Sequence, residues 1–103
     1  MNGNLPVVLV PEAERDVREA YLWYEGQSPG LGMEFLRCVE AALDSIGRLP
    51  LACPVVHGPY RRKLVRRFPH AVYYEAGRGV DRCVVYAVFH FSQDPEKWRV
   101  RLP

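Results

Sequence analysis

At 103 residues, 49% of them hydrophobic and 25% charged, the chain has the size and composition of a single folded domain, residues 1–103, and not of a disordered tail. Its net charge of +2 hides a polarity: residues 1–50 carry four cations against eight acids, and residues 51–103 carry ten against four. Cys38, Cys53 and Cys83 are odd in number, widely spaced and without a CxxC pair, which argues against a disulfide framework. With no signal-like start and no run of membrane-spanning length, a reducing cytoplasm is the expected compartment.

Residues 6–10, Pro-Val-Val-Leu-Val, are a β-branched run and predict a strand. Pro11 then opens a helix, where its missing N–H is tolerated, and Glu12, Glu14 and Asp16 complement the positive end of the helix dipole. Ala13, Val17, Ala20, Tyr21 and Tyr24 recur at helical spacing as one apolar face, and Gly26 reads as the stop. Leu22 points off that face and Trp23 lies at its edge, which makes both candidate partner contacts. Ser28 is the expected cap of a second helix, with Pro29 just inside it. Phe35, Leu36, Val39, Ala42, Leu43 and Ile46 carry that helix as far as Arg48, and Leu49-Pro50 ends it. A link of a few residues makes the pair an antiparallel hairpin. Residues 50–59, with Pro50, Pro54, Gly58 and Pro59, read as a connecting loop.

Three candidate strands follow, at residues 60–67, 71–76 and 82–90, separated by Pro69 and by a Gly77-Arg78-Gly79 turn. Residues 83–89 are apolar throughout and predict a central strand covered on both faces. Residues 91–103 read as a short tail. The order gives an α+β fold: an N-terminal strand, an antiparallel helical hairpin, then a three-stranded antiparallel sheet, with the hairpin on one face and the other face free to bind.

Residues 61–67 place five cations in seven positions. Leu64 and Val65 lie inside the run and a strand follows at once, so the charge is displayed on folded sheet, a fixed surface suited to an anionic partner. Strand alternation puts Arg62, Leu64 and Arg66 on one face and Arg61, Lys63, Val65 and Arg67 on the other, so not all five cations meet one ligand. Metal-independent RNA cleavage would need a base, an acid and cations on the phosphate, drawn here from Arg61, Arg62, Lys63, Arg66, Arg67, Tyr86, His90, Arg99 and Arg101. Tyr86 sits in the most apolar strand and reads as core. His90 closes that strand, and its simplest role is to hydrogen-bond the C-terminal tail. Lysine occurs only at Lys63 and Lys97, and arginine is a poor base, so the balance favours a binder over a nuclease. His57, His70 and His90 lack a carboxylate or cysteine at ligand spacing, which argues against zinc, and no Gly-rich phosphate loop is present.

The ordered set of Ala13-Glu14-Arg15-Asp16-Val17 with Tyr24-Glu25, Pro29-Gly30-Leu31-Gly32, Phe35-Leu36 and Pro50, Arg66-Arg67-Phe68-Pro69 with Tyr73-Tyr74, and His90 with Asp94-Pro95, Trp98 and Arg101 resembles the RelE/ParE toxins of bacterial toxin–antitoxin systems over nearly the whole chain. It is most like the ParE branch, the plasmid stabilisation proteins. His70 departs from it, since tyrosine commonly follows Phe-Pro there. The resemblance implies the same fold and a growth-inhibiting toxin held inactive by a co-expressed antitoxin, with no metal or organic cofactor and no membrane partner. The ParE side implies inhibition of DNA gyrase without catalytic residues. It also implies neutralisation in a hetero-oligomer by a ParD-like antitoxin of the DNA-binding ribbon–helix–helix type, through which alone the toxin would meet operator DNA. The alternative is RelE-like cleavage of messenger RNA on the ribosome. On this reading Arg62, Arg66, Arg67, His90, Trp98, Arg99 and Arg101 are candidates for the toxic surface. Leu22, Trp23, Arg61, Lys63 and Arg66 are candidates for antitoxin binding.

Overall fold

Proline brackets the first strand and opens the first helix. Pro6 and Pro11 leave room for only three paired residues, β1 (Val7–Leu9), before α1 (Pro11–Gln27) begins. The computed structural model describes residues 4–76, 81–92 and 95–103, with the side chains of Pro95 and Trp98 excluded. Next come α2 (Leu31–Arg48), β2 (Val55–His57), β3 (Tyr60–Leu64), β4 (His70–Glu75), β5 (Cys83–His90) and α3 (Pro95–Arg101). The five strands form one sheet in the order β1-β5-β4-β3-β2. β1 runs parallel to β5, and every other pairing is antiparallel. The α+β architecture is the one read from the sequence, enlarged by two strands in the sheet.

The hairpin is held at its turn by a device the sequence reading did not find. Ser28 closes α1, its N–H donating to the Tyr24 carbonyl (3.2 Å), and does not cap α2. Pro29 stays outside the helix, and the residue before α2 is Gly30 at φ 89°, a left-handed conformation that glycine adopts at no steric cost. The Glu25 carboxylate, reaching across from α1, accepts the N–H of Gly30 (3.0 Å) and of Gly32 (3.0 Å). Two of the orphan amides that open α2 are thus satisfied, and a negative charge sits on the positive end of its dipole.

Phe35, Val39, Ala42 and Ile46 of α2 and Ala13 and Tyr24 of α1 pack on Val72, Tyr74, Cys83, Val85 and Val88 of the sheet. Burial stabilises by about 2 kcal/mol for each large side chain. Tyr74 is fully buried, and its hydroxyl donates to the Pro50 carbonyl (2.8 Å), tying the end of the hairpin to the sheet. Gly47 lets the chain before β1 cross α2 closely: Leu5 N–H donates to the Gly47 carbonyl (2.9 Å), and a Cβ on Gly47 would lie 2.7 Å from the Leu5 oxygen.

Four expectations need correction. The 50–59 loop contains β2, because Val55-Val56-His57 pairs with Tyr60 and Arg61. β3 ends at Leu64 and not at residue 67, because the chain turns through Arg67 at φ 69° toward Pro69. The 91–103 tail contains α3. The outer face of the sheet is not free: Tyr60, Ala71, Tyr73, Ala87 and Phe89 form a second cluster with Leu102 of the tail, and the Tyr60 hydroxyl donates to a Pro103 oxygen. A register shift on β5 pairs Tyr73 with Ala87 and Tyr74 with Val85, leaving Tyr86 as the extra residue. Tyr86 therefore joins this outer cluster, its ring 5.6 Å from that of Tyr60. The expected Gly77-Arg78-Gly79 turn lies outside the described residues. Among the described residues no helix is long and apolar enough to cross a membrane.

Candidate functional site: two cationic surfaces and an aromatic pocket

The run at 61–67 divides over two surfaces. Alternation holds through Lys63: Tyr60 and Arg62 take the outer face, and Arg61, Lys63 and Val65 take the helix side, where Val65 is buried in the main core. It fails beyond the strand. Arg66 does not share a face with Arg62; it lines a groove of about 390 Å³ between α2 and β3, together with Lys63 and Arg48. Arg67 sits in the turn and reaches Glu34 of α2 (3.4 Å), a pair between two exposed side chains that contributes little. Arg61 is spent on the fold, its guanidinium donating to the carbonyls of Cys53 (2.6 Å) and Leu51 (3.2 Å) and bracing the loop before β2.

The second cationic surface is the tail. Arg101 reaches back to Asp16 of α1 (2.9 Å), donates to the Tyr86 carbonyl (3.1 Å) and lies 5.0 Å from the centre of the Phe89 ring. Asp16 also accepts the Val88 N–H (3.0 Å). Its burial raises the carboxyl pKa, and the Arg101 and Val88 hydrogen bonds only partly offset that. Arg101 is thus a clasp that holds the tail over the sheet. Arg99 is exposed and pairs with Glu96 (3.1 Å) within α3. Trp98 falls on α3, and its side chain lies outside the described residues. With Arg62 on the same side of the sheet, Arg62 and Arg99 are exposed cations of this surface, and Lys97 of α3 is a third.

His90 ends β5. Its Nδ1 accepts the Ser92 N–H (2.9 Å) and lies 2.8 Å from the Ser92 hydroxyl, so it orders the first residues of the tail, as its simplest reading anticipates. With the Ser92 N–H donating to Nδ1, the neutral ring carries its proton on Nε2. Its ring stands 5.1 Å from His70, and the two histidines line a largely apolar pocket of about 260 Å³ with Ala20, Trp23 and Tyr24. His70 is the residue that sequence reasoning noted only as a departure. It is buried among Tyr24, Phe35 and His90, with Nε2 3.1 Å from the Tyr24 hydroxyl and no partner for Nδ1 among the described residues. Burial first, and then the neighbouring His90, lower its pKa to about 4, so it is neutral at physiological pH. Nothing in the sequence signals this pairing, because Tyr24 and His70 are 46 residues apart. Leu22 and Trp23 are exposed on α1, 60% and 61%, as their spacing predicts.

The arrangement is rich in guanidinium groups and poor in acid–base pairs. The Tyr86 hydroxyl donates to Glu75 (3.2 Å), and burial raises its pKa, which does not suit it to ionise. All three cysteines are free thiols, and among the described residues no group of three or more His, Cys, Asp or Glu side chains is placed to hold a metal.

No protein-family model matches the chain, and a search of curated proteins finds no similar sequence. The fold does match solved structures. A chain of the chromosomal ParDE toxin–antitoxin system from P. aeruginosa superposes with a TM-score of 0.73 at 10% identity, over 85% of this chain and 97% of that chain. A chain of the RelBE2 toxin–antitoxin complex from Mycobacterium tuberculosis gives a TM-score of 0.60 at 19% identity, over 87% of this chain and 94% of that one. Hydrophobic patterning and layer packing carry such a likeness where identity has decayed. The chain has a RelE/ParE-type toxin fold.

Proposed function

We propose that the protein is the toxin of a toxin–antitoxin pair, of the ParE kind, that inhibits DNA gyrase by binding it and is neutralised by a ParD-like antitoxin. The observation that carries this reading is the composition of the cationic surfaces. Arg62 and Arg99 are exposed, while the tyrosine hydroxyls of the same face are engaged: Tyr86 by Glu75, and Tyr60 by Pro103. Guanidinium groups bind phosphate and carboxylate well and abstract protons poorly. A surface of this kind suits an inhibitor that occupies a partner and performs no turnover. The likeness to the ParDE chain supports the choice of partner class. Operator DNA would be met through the antitoxin, and a cytoplasmic location follows from a gyrase target.

The test is a supercoiling assay with purified gyrase, the folded protein and an Arg62→Ala/Arg99→Ala variant. Arg101 is spared because its loss would disturb the tail. Dose-dependent loss of supercoiling, or trapped cleaved DNA, weakened in the variant, is the expected result. No effect at large molar excess of folded protein sinks it. The likeness to the RelBE2 chain supports a second reading, ribosome-dependent cleavage of messenger RNA. It is read out in the same samples as message fragments in a translation extract.

A further inference from the structure

A pocket of about 470 Å³ opens between α3, β5 and α1, lined by Asp16, Phe89, Glu96, Lys97, Val100 and Arg101. That volume falls within the range of small-molecule sites, about 300–1,000 Å³. Four of the six lining residues come from α3, as two rows of residues four apart: Glu96 with Val100, and Lys97 with Arg101. The apolar part of the lining is the Phe89 ring and the Val100 side chain. Val100 is 84% exposed, an apolar group left almost without cover beside a cavity.

The charges around this pocket cancel but for one. Arg101 answers Asp16 (2.9 Å), whose carboxylate also accepts the Val88 N–H (3.0 Å). Arg99 answers Glu96 (3.1 Å). Lys97 makes no ion pair among the described residues. The Arg101 guanidinium lies 5.0 Å from the centre of the Phe89 ring and spends its donors on Asp16 and the Tyr86 carbonyl, so it walls the pocket and leaves no charge over. What remains is an apolar surface with one uncompensated ammonium group, carried on a long aliphatic stem that itself covers apolar surface.

From this balance we infer that the pocket beside α3 binds a small amphipathic monocarboxylate, a free organic acid with a compact apolar body. The body rests on Phe89 and Val100, and the carboxylate meets the Lys97 ammonium. Burial of apolar surface supplies the affinity, and the single unmatched charge supplies the selection. A nucleic-acid backbone fits less well, because phosphate binding draws on several cations together and this pocket has one to offer. With α3 as one wall and β5 as another, the ligand bridges the tail and the sheet next to the Arg101 clasp. The site stands apart from the gyrase reading and does not depend on it.

The experiment titrates naphthalene-2-carboxylate into the full chain, with naphthalene-2-carboxamide as the uncharged match, and follows both by amide NMR at pH 7. A ligand of this size should reach a Kd on the order of 1 mM or tighter. The shifts should gather at Phe89 and along residues 96–101. A partly exposed ion pair is worth at most about a factor of five, so the carboxylate should bind about fivefold more tightly than the carboxamide. Lys97→Gln should abolish that preference and leave the carboxamide affinity as it was. Val100→Glu sets a carboxylate on the pocket wall and should weaken the charged probe at least about tenfold. Both side chains are exposed, so neither change threatens the fold. Equal affinity for the two probes overturns the inference, and so does a preference that survives Lys97→Gln. Shifts centred on Arg62, away from Phe89 and Val100, would reveal a loose attraction of anions to the outer face and overturn it as well. No shift at about 10 mM of either probe removes the pocket as a ligand site. A short peptide with a C-terminal phenylalanine that binds at least about tenfold more tightly than the naphthoate reassigns the pocket to a protein terminus.

Discussion

Replacing Arg101 by alanine should unfasten the tail and cost more than any other cation in the chain. Asp16 receives three hydrogen bonds, from Arg101 Nη1 (3.3 Å) and Nη2 (2.9 Å) and from Val88 N–H (3.0 Å), and burial raises its pKa in spite of them. Desolvation of the carboxylate is therefore the larger effect, and Arg101 is what makes the charged form tolerable. Removing one partner of a fully buried pair costs about 3–5 kcal/mol. The side chains here are 27% and 14% exposed, so water re-enters, and about 2 kcal/mol is the expected loss for Arg101→Ala. Asp16→Asn keeps an oxygen for Val88 N–H and should cost about 1 kcal/mol. The double variant should fall short of the sum by about 1 kcal/mol, the sign of a shared interaction. The sign with pH follows. A carboxyl whose folded pKa lies above its unfolded value contributes stability in acid and loses it as pH rises, so the Arg101→Ala penalty should shrink as pH falls below neutrality. Urea unfolding followed by far-UV circular dichroism, at pH 7 and pH 5, measures all of this. A coupling under about 0.3 kcal/mol at pH 7 would refute the clasp.

Three further outcomes are expected. His70, held near pKa 4 against an ordinary 6.5 by burial and by the facing His90, refuses a proton that the unfolded chain accepts, so stability should fall as pH drops through that window, by about 2 kcal/mol between pH 7 and pH 5. His70→Phe gives up the Tyr24 hydrogen bond but should lose that part of the slope, and an equal slope in the variant would count against the assignment. Glu25→Ala strips the first amides of α2 of their acceptor and should lower stability by about 1 kcal/mol in urea titrations, whereas an unchanged midpoint would show that water serves them as well. Gly47→Ala sets a methyl 2.7 Å from the Leu5 carbonyl and should cost roughly 2 kcal/mol with β1 exchanging faster, and a neutral result would mean that the N-terminal segment moves aside freely.

The helices were legible because their signals are local. The 3.6-residue spacing of Phe35, Val39, Ala42 and Ile46 is the buried face of α2, and the off-face Leu22 and Trp23 are exposed as that spacing requires. Alternation served equally well for β3 until Leu64. It misplaced Arg66 and Arg67 because the turn uses a positive φ at Arg67, a residue type that announces no such conformation. α3 was missed although Pro95 and Glu96 are a helix-start pattern, since a short segment at a chain end reads as a tail. Glu25 was missed because a cap was sought next to α2, whereas it comes from the preceding helix.

The cations were the least legible, for a reason that bears on any mutational scan of this protein. A sequence counts charges but does not show which are already satisfied, and the partner that decides the matter is often remote: Asp16 is 85 residues from Arg101. Arg61 and Arg101 look identical to Arg62 and Arg99 in the sequence, yet the first two hold the loop before β2 and the tail in place. Under the function proposed above, alanine at either should weaken activity by loosening the fold, and such a scan would report them as contact residues. Alanine at Arg62 and Arg99 removes charge with little structural cost, so a loss of the proposed activity there reports binding. The two classes separate only when each variant's unfolding midpoint is measured beside its activity.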